Sequence, residues 1–222
     1  MVKNKECFIE YIKKLDLYTE GIETAFEAYF EGLVSTNKRV NLFSRKMEID
    51  DIWIKHFIDS VSIFEVFTNW AGKKVLDFGT GGGLPGIPIK IIAPSCEMTL
   101  LDSTKKKLQA VREIIDVVVA RYALPNADSH FGLSLLVQTL THRLEDKEMD
   151  AYNNYFDIIV CRSVKITPVL QKAMFKVLKK KGKIFLYKSI DIDDVKLFKK
   201  YKEHKLDIKV LGERRIIEIN YG

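Results

Sequence analysis

Through the first 67 residues apolar side chains recur at spacings of three and four, and beyond them the spacing shortens. ECFIEYIKKLDLY, GIETAFEAYFEGLV and DIWIKHFIDSVSIFEVF therefore predict three amphipathic helices, the last with Ile54, Phe57, Ile58, Val61 and Phe64 on one buried stripe. Between the second and third, STNKRVNLFSRKM is polar, basic and aperiodic, which predicts a loop. From Lys73 short apolar runs alternate with amphipathic helices. VLDF at 75–78, EMTLLD at 97–102, LLVQT at 135–139, FDIIVCR at 156–162 and KIFLYK at 183–188 read as strands. LPGIPIKII, TKKKLQAVREIIDVVV and TPVLQKAMFKVLKKKG read as the helices between them, the second with Leu108, Val111, Ile115 and Val118 inward. This alternation predicts a doubly wound, mostly parallel α/β sheet. The tail reads as a helix around DVKLFKKYKEH, then a hairpin of DIKVL and RRIIEINY broken at Gly212 and Glu213. The chain divides into an N-terminal helical extension, 1–70, and an α/β domain, 71–222.

Composition narrows this little. The 222 residues are 47% hydrophobic and 30% charged, with no apolar run near the ~20 residues that span a bilayer. The N-terminus interleaves charge with apolar residues, unlike a secretory signal. Cys7, Cys96 and Cys161 are odd in number and widely spaced, so a reducing cytoplasm and a monomer without membrane contact are expected. A net charge of +6 favours a polyanionic partner such as RNA.

The chemistry concentrates in VLDFGTGGGLPGIP, Val75 to Pro88. Gly79, Gly81, Gly82 and Gly83 follow a strand and precede a helix, where their backbone can turn tightly beneath a ligand. Gly81, Gly83 and Gly86 match the dinucleotide fingerprint, a weak signal by itself. Asp77 discriminates: its carboxylate would repel a pyrophosphate but complements the sulfonium and ammonium of S-adenosylmethionine (SAM). Asp102 ends the next strand, where a carboxylate accepts hydrogen bonds from a ribose diol. No Gly-Lys-Ser/Thr follows the glycines, which excludes a triphosphate loop. The closing hairpin also points to the seven-stranded, Rossmann-like SAM-methyltransferase sheet rather than to six parallel strands.

These residues resemble the RsmG (GidB) family of bacterial 16S ribosomal RNA guanine-N7 methyltransferases. The likeness rests on Leu84 to Pro88, on Leu100 to Ser103, on Asn41-Leu42 and on His56 to Ser60. It extends to Arg143-Leu144-Glu145, Arg162 and Lys188. The resemblance implies that Gly79, Leu84 and Ser103 contact SAM, that the Leu144-Glu145 backbone meets the adenine, and that Arg162 lies beside the cofactor. Arg143 and Lys188 would face 16S rRNA or the small ribosomal subunit. The sequence departs from the family at Lys106-Lys107, Ser163 and Ser189, and 120–134 is longer than the family leads one to expect.

Guanine N7 carries no proton, so positioning replaces a general base. Arg143 and Lys188 are then the residues that orient the RNA, serving phosphates or O6. Lys38, Arg39, Asn41 and Arg45 in the N-terminal loop and Lys106 and Lys107 at a helix start are further RNA candidates. Blander readings compete. Arg162 and Lys188 would otherwise be solvated strand ends, Lys179 to Lys181 a solvated helix terminus, and His56 a hydrogen-bonded packing residue. His130, His142 and His204 lack ligand spacing with one another or with cysteine, so no metal is expected. The rival functions are a SAM-dependent methyltransferase for another RNA, a protein or a small molecule, and a non-catalytic RNA-binding protein on the same fold.

Overall fold

The computed structural model describes residues 2–122 and 137–222. The long segment at 120–134 lies outside them from residue 123 onward, and His130 with it. Helices α1, Val2–Lys14, and α2, Glu20–Asn37, open the chain. Thr19 caps α2 by accepting a hydrogen bond from Ile22 N (3.1 Å), and Glu20 and Glu23 complement its dipole. The third helical segment, α3 at 49–65, is less regular than its periodicity predicts. It opens as a 3-10 turn, widens into a π-helix at Trp53–Ile58, and closes through Asp59–Val61 into a 3-10 turn. The expected stripe is nonetheless buried, Ile54, Phe57, Ile58, Val61 and Phe64 all facing the core.

The sheet has seven strands: β1 Lys74–Phe78, β2 Glu97–Leu101, β3 Val137–Leu140, β4 Phe156–Arg162, β5 Leu178–Lys188, β6 Lys202–Ile208 and β7 Gly212–Asn220. Their order is β3-β2-β1-β4-β5-β7-β6, with β7 antiparallel to both neighbours. Helices α4, Gly86–Ile92, α5, Lys105–Tyr122, and α6, Pro168–Val177, make the crossovers. Strand alternation sorts the core into two faces. Val75, Met98, Leu100, Ile158, Val160 and Phe185 pack with the N-terminal helices, α4 and α5; Leu76, Phe78, Leu101, Ile159 and Leu186 pack with α6. The N-terminal helices thus share one core with the sheet.

Two boundaries differ from expectation. Helix α6 stops at Val177 rather than running through the lysines, because Asn154 N and Tyr155 N take the carbonyls of Lys176 and Val177. Lys181 then turns at φ +65, and a Cβ on Gly182 would lie 2.8 Å from Leu178. Lys179 to Lys181 are therefore a bulged strand entry and not a helix terminus. In the tail, the helix expected around 194–204 is a single 3-10 segment, Asp193–Leu197, and β6 already begins at Lys202. Leu206 and Ile208 alternate inward while Lys202, Lys205 and Asp207 stay exposed, as an edge strand protected from pairing requires. The hairpin turn falls at 209–211, just before the expected glycine break.

Phe57 sits at the junction of extension and sheet, its ring 5.1 Å from Phe26, 5.1 Å from Trp53 and stacked 5.4 Å from Tyr29. Phe57→Ala should cost about 3–5 kcal/mol, measured by urea unfolding. Because the core is shared, tryptophan fluorescence and far-ultraviolet circular dichroism should report one coincident transition in both proteins. Two separated transitions would show that the extension is an independent unit.

Candidate functional site

Strand β1 delivers the glycine turn at the carboxyl edge of the sheet, the edge where open α/β sheets bind ligands. Alternation places Asp77 on the face of the N-terminal helices, where it is fully buried. Its Oδ2 accepts from Thr80 Oγ1 (2.5 Å) and from Gly86 N (2.8 Å), clasping the turn at both ends. Its Oδ1 has no partner among the described residues. Burial pushes the Asp77 carboxyl up to about 6, against the hydrogen bonds that favour its charge. Gly79 and Gly83 adopt φ of +74 and +93, which L-residues rarely take, and a Cβ on Gly83 would strike Ile87 and the Tyr29 hydroxyl.

The N-terminal segment braces this turn. Tyr29 Oη donates to Gly82 O (2.7 Å), and Leu42 packs on Gly82. Asn37 Oδ1 holds the loop that carries Leu42, accepting from Leu42 N (2.8 Å) and Phe43 N (3.1 Å). From the opposite side Asp102 Oδ2 accepts from Gly81 N (3.0 Å) and Oδ1 from Thr104 N (2.8 Å).

Two cavities open at this edge. A smaller one of 270 Å³ is lined by Gly79, Asp102, Ser103, Arg143, Leu144 and Glu145, with Phe78, Val164 and Leu170 as apolar wall. A larger one of 520 Å³ is lined by cations and aspartates together: Lys55, Arg162, Lys165, Lys188 and Arg214 with Asp59, Asp191, Asp193 and Asp194, and His56 beside them. Val164 lines both, and a Cβ on Gly79 would come within 2.6 Å of it. The two spaces are neighbours across one side chain.

The larger cavity is an ion-pair network. Asp59 lies between two guanidinium groups, 3.0 Å from Arg162 Nη1 and 3.2 Å from Arg214 Nε. Arg162 also donates to Lys55 O (3.4 Å) and faces His56 Nδ1 (3.3 Å). The π-helical turn supplies that contact, presenting Lys55 O and His56 to Arg162. Lys188 Nζ pairs with Asp194 (2.6 Å), whose Oδ2 also accepts from Ile166 N. The Arg162, Asp59, Lys188 and Asp194 side chains are only 8–14% exposed. The solvated-surface reading of Arg162 and Lys188 therefore fails. His56 is held neutral, burial and Arg162 pushing its imidazole down to about 3, and its Nε2 is buried without a partner among the described residues. It packs edge-on against Phe43, as the packing reading expects.

The expected site residues thus divide. Gly79, Asp102, Ser103, Leu144 and Glu145 come together at the smaller cavity, and Arg143 joins them rather than Lys188. Arg162 lies with Lys188 at the larger cavity. Leu84 is buried in the core behind the turn, while Gly81 enters through its backbone N–H to Asp102. Lys38, Arg39, Asn41 and Arg45 are exposed, and Arg39 pairs with Glu113 on α5 (2.6 Å). Lys106 stands seven residues before Glu113, on the same side of α5, with Lys107 half-buried beside it. Asp59, Asp194 and Arg214 were missed. Asp59 stands inside the resembling His56 to Ser60 stretch, but nothing in spacing alone joins Arg214 to it. His142, Asp146 and Glu148 also approach one another, a grouping that histidine and cysteine spacing does not register. Asp146 already accepts from Arg143 N, and the group carries no metal assignment.

Comparison with known proteins agrees with this architecture. Residues 22–213 match the family described as rRNA small subunit methyltransferase G, GidB. A ribosomal RNA small subunit methyltransferase G of Lactobacillus helveticus is 31% identical over 217 residues, covering 96% of this chain and 82% of the relative. One from Lachnoclostridium phytofermentans is 32% identical over 190 residues, covering 85% and 72%. Among solved structures, magnesium protoporphyrin IX methyltransferase of Synechocystis PCC 6803, with bound SAM, superposes with a TM-score of 0.54. At 14% identity over 92% of this chain and 99% of that one, it shares the fold.

Asp77→Asn keeps an acceptor for Thr80 and Gly86 N–H but cannot titrate. A folded pKa near 6, above the ordinary 3.8, gives stability that is complete below pH 3.8 and lost as pH rises through 6. The Tm of the native protein minus that of the variant should therefore fall between about pH 4 and 6 and level off above. Parallel profiles in differential scanning calorimetry would show that Asp77 does not titrate in this range.

Proposed function

The chain belongs to the rRNA small subunit methyltransferase G family, and from that premise we propose that it methylates N7 of a guanine in 16S rRNA, using SAM. It is a SAM-dependent ribosomal RNA methyltransferase. The observation that supports the finer reading is the pair of adjoining cavities divided by Val164, one with a carboxylate, a glycine and an apolar wall, and one lined by cations held by aspartates.

The smaller cavity fits the cofactor. Asp102 offers a carboxylate to a ribose diol, Leu144 and Leu170 an apolar bed for adenine, and Gly79 a close backbone approach. Asp77 puts a buried negative charge behind the turn, which complements a sulfonium. Bound there, SAM supplies an electrophilic methyl group. The chain's own residues then need only hold the base in line and exclude water, since N7 has a free lone pair. Positive charge moves onto the purine as the methyl transfers, so a bare cation against N7 would oppose the reaction. Asp59 and Asp194 meet that constraint by neutralising Arg162, Arg214 and Lys188, leaving their N–H groups for O6 or phosphate oxygens. Arg143 reaches from the rim of the cofactor cavity. The exposed loop with Lys38, Arg39, Asn41 and Arg45 flanks the turn on the same side as Lys106, which suits a phosphate track. No helix of the described residues is long and apolar enough to cross a membrane. Cys7, Cys96 and Cys161 are free, in keeping with a monomer working in the cytoplasm.

Incubation with labelled SAM and either naked 16S rRNA or small ribosomal subunits tests the assignment, with mapping by cleavage chemistry specific for N7-methylguanine. One guanine should be labelled; no labelling in either substrate overturns the proposal. Asp102→Ala should weaken SAM binding by about 1.5–3 kcal/mol in titration calorimetry, roughly 10- to 150-fold. Lys188→Ala should lower kcat/KM for RNA while SAM affinity stays unchanged. Since no base is required, kcat should be level between about pH 7 and 9, and a clear ionisation step there would contradict the mechanism.

A further inference from the structure

A second concave surface lies at the opposite edge of the sheet. It is a groove of 720 Å³ between α6, the segment leading into β6 and the end of β7. Its floor is aromatic: Phe175 stacks on Tyr221 at 4.9 Å and 28°, and meets Phe198 edge-on at 5.7 Å. Tyr201 stands on its wall, 40% exposed. Lys199, Lys200 and Lys202 line the same groove, and no Asp or Glu does. Lys180 and Lys181 extend the charge, Lys181 being tied to Tyr221 through its backbone N–H (2.7 Å).

These lysines differ from the cations of the catalytic edge. There Arg162, Arg214 and Lys188 each have a carboxylate partner; here all five lysines are exposed and none forms an ion pair among the described residues. A cluster of like charges without counter-charges repels itself and contributes nothing to the fold. Phe198 is buried and Phe175 and Tyr221 are partly buried, so Tyr201 is the exposed ring here. An exposed aromatic ring among unpaired cations is a combination that binds single-stranded nucleic acid, a base stacking while phosphates meet ammonium groups. Position fits as well. Lys183 pairs with Asn220 at the groove and Lys188 with Arg215 at the larger cavity, five residues apart along the same two strands. At the rise of an extended strand that is about 17 Å.

We propose that this groove is a second RNA-binding surface, holding a single-stranded segment of the substrate RNA away from the methylated base. The inference rests on the proposed RNA substrate, and the test separates the two. Native protein, the triple variant Lys199→Gln/Lys200→Gln/Lys202→Gln and Tyr201→Ala are titrated with a fluorescent single-stranded fragment of 16S rRNA across a range of salt. With three ammonium groups no longer facing phosphates, the slope of log affinity against log salt should fall by about 2, and affinity at 0.1 M salt by tenfold to a hundredfold. Tyr201→Ala should weaken binding with the slope unchanged, and Tyr201→Phe should restore it. SAM affinity and kcat at saturating RNA should match the native protein in all variants. Native-like slope and affinity in the triple variant overturn the groove while leaving the methyltransferase assignment intact. Equal displacement by polyglutamate, with no loss in Tyr201→Ala, overturns RNA in favour of an acidic protein. Failure of the native protein to bind any 16S fragment overturns the groove, whereas the methyltransferase assignment falls only if neither naked 16S rRNA nor small subunits are labelled.

Discussion

A single buried carboxylate organises the carboxyl edge of the sheet. Asp77 leaves β1 on the side of the N-terminal helices and spends one oxygen on both ends of the glycine turn. A turn of this kind has few side chains with which to hold itself, and its backbone donors must find partners or lie open to solvent. Asp77 from beneath and Asp102 from one side accept from Gly86 N and Gly81 N, and the Tyr29 hydroxyl from the other side donates to the Gly82 carbonyl. Everything downstream, including the start of α4 and the close approach of Val164 to Gly79, takes its position from that clasp.

The N-terminal extension is therefore part of the site's construction rather than an ornament on the sheet. It supplies Tyr29 and Leu42 to the glycine turn, and Lys55, His56 and Asp59 to the ion-paired cavity. The π-helical turn at Trp53–Ile58 allows the second contribution, since a regular α-helix would bind its own carbonyls more completely. Asp59 then couples the extension to β4 and β7 at once, through Arg162 and Arg214. A half-buried arrangement of this kind is costly unless its charges are answered, and here Arg162, Arg214 and Lys188 each meet a carboxylate.

How much of this the sequence discloses depends on the range of the interaction. The strand, glycine turn and acid at Asp102 are local in sequence, and the period of apolar positions fixes the faces of α3 and α5, so these were legible from spacing. The end of α6 was not, because the break comes from the turn at Lys181, from Gly182 meeting Leu178 and from carbonyls claimed by Asn154 and Tyr155. The lysine-rich entry to β6 reads as helix for the reason that edge strands carry charge: such composition answers to exposure, not to backbone conformation. Arg214 joins the site only through its pairing with Asp59 across 155 residues, and Asp194, six residues beyond Lys188, is placed by the 3-10 turn that replaces the expected helix. Arg143 and Lys188 share a chemical character but line different cavities, a distinction that only the geometry of Val164 draws.

The contact between Leu42 and Gly82 carries a thermodynamic obligation. The loop that bears Lys38, Arg39 and Arg45 is pinned by Asn37 and rests on the glycine turn, so the two are not free to rearrange independently. Any ligand of the loop that favours one arrangement alters the turn's hold on its own ligand by some factor, and the turn's ligand must return that same factor to the loop. An enzyme built this way has no need of a separate sensor to order its encounters. Whichever partner arrives first has already changed the terms for the other.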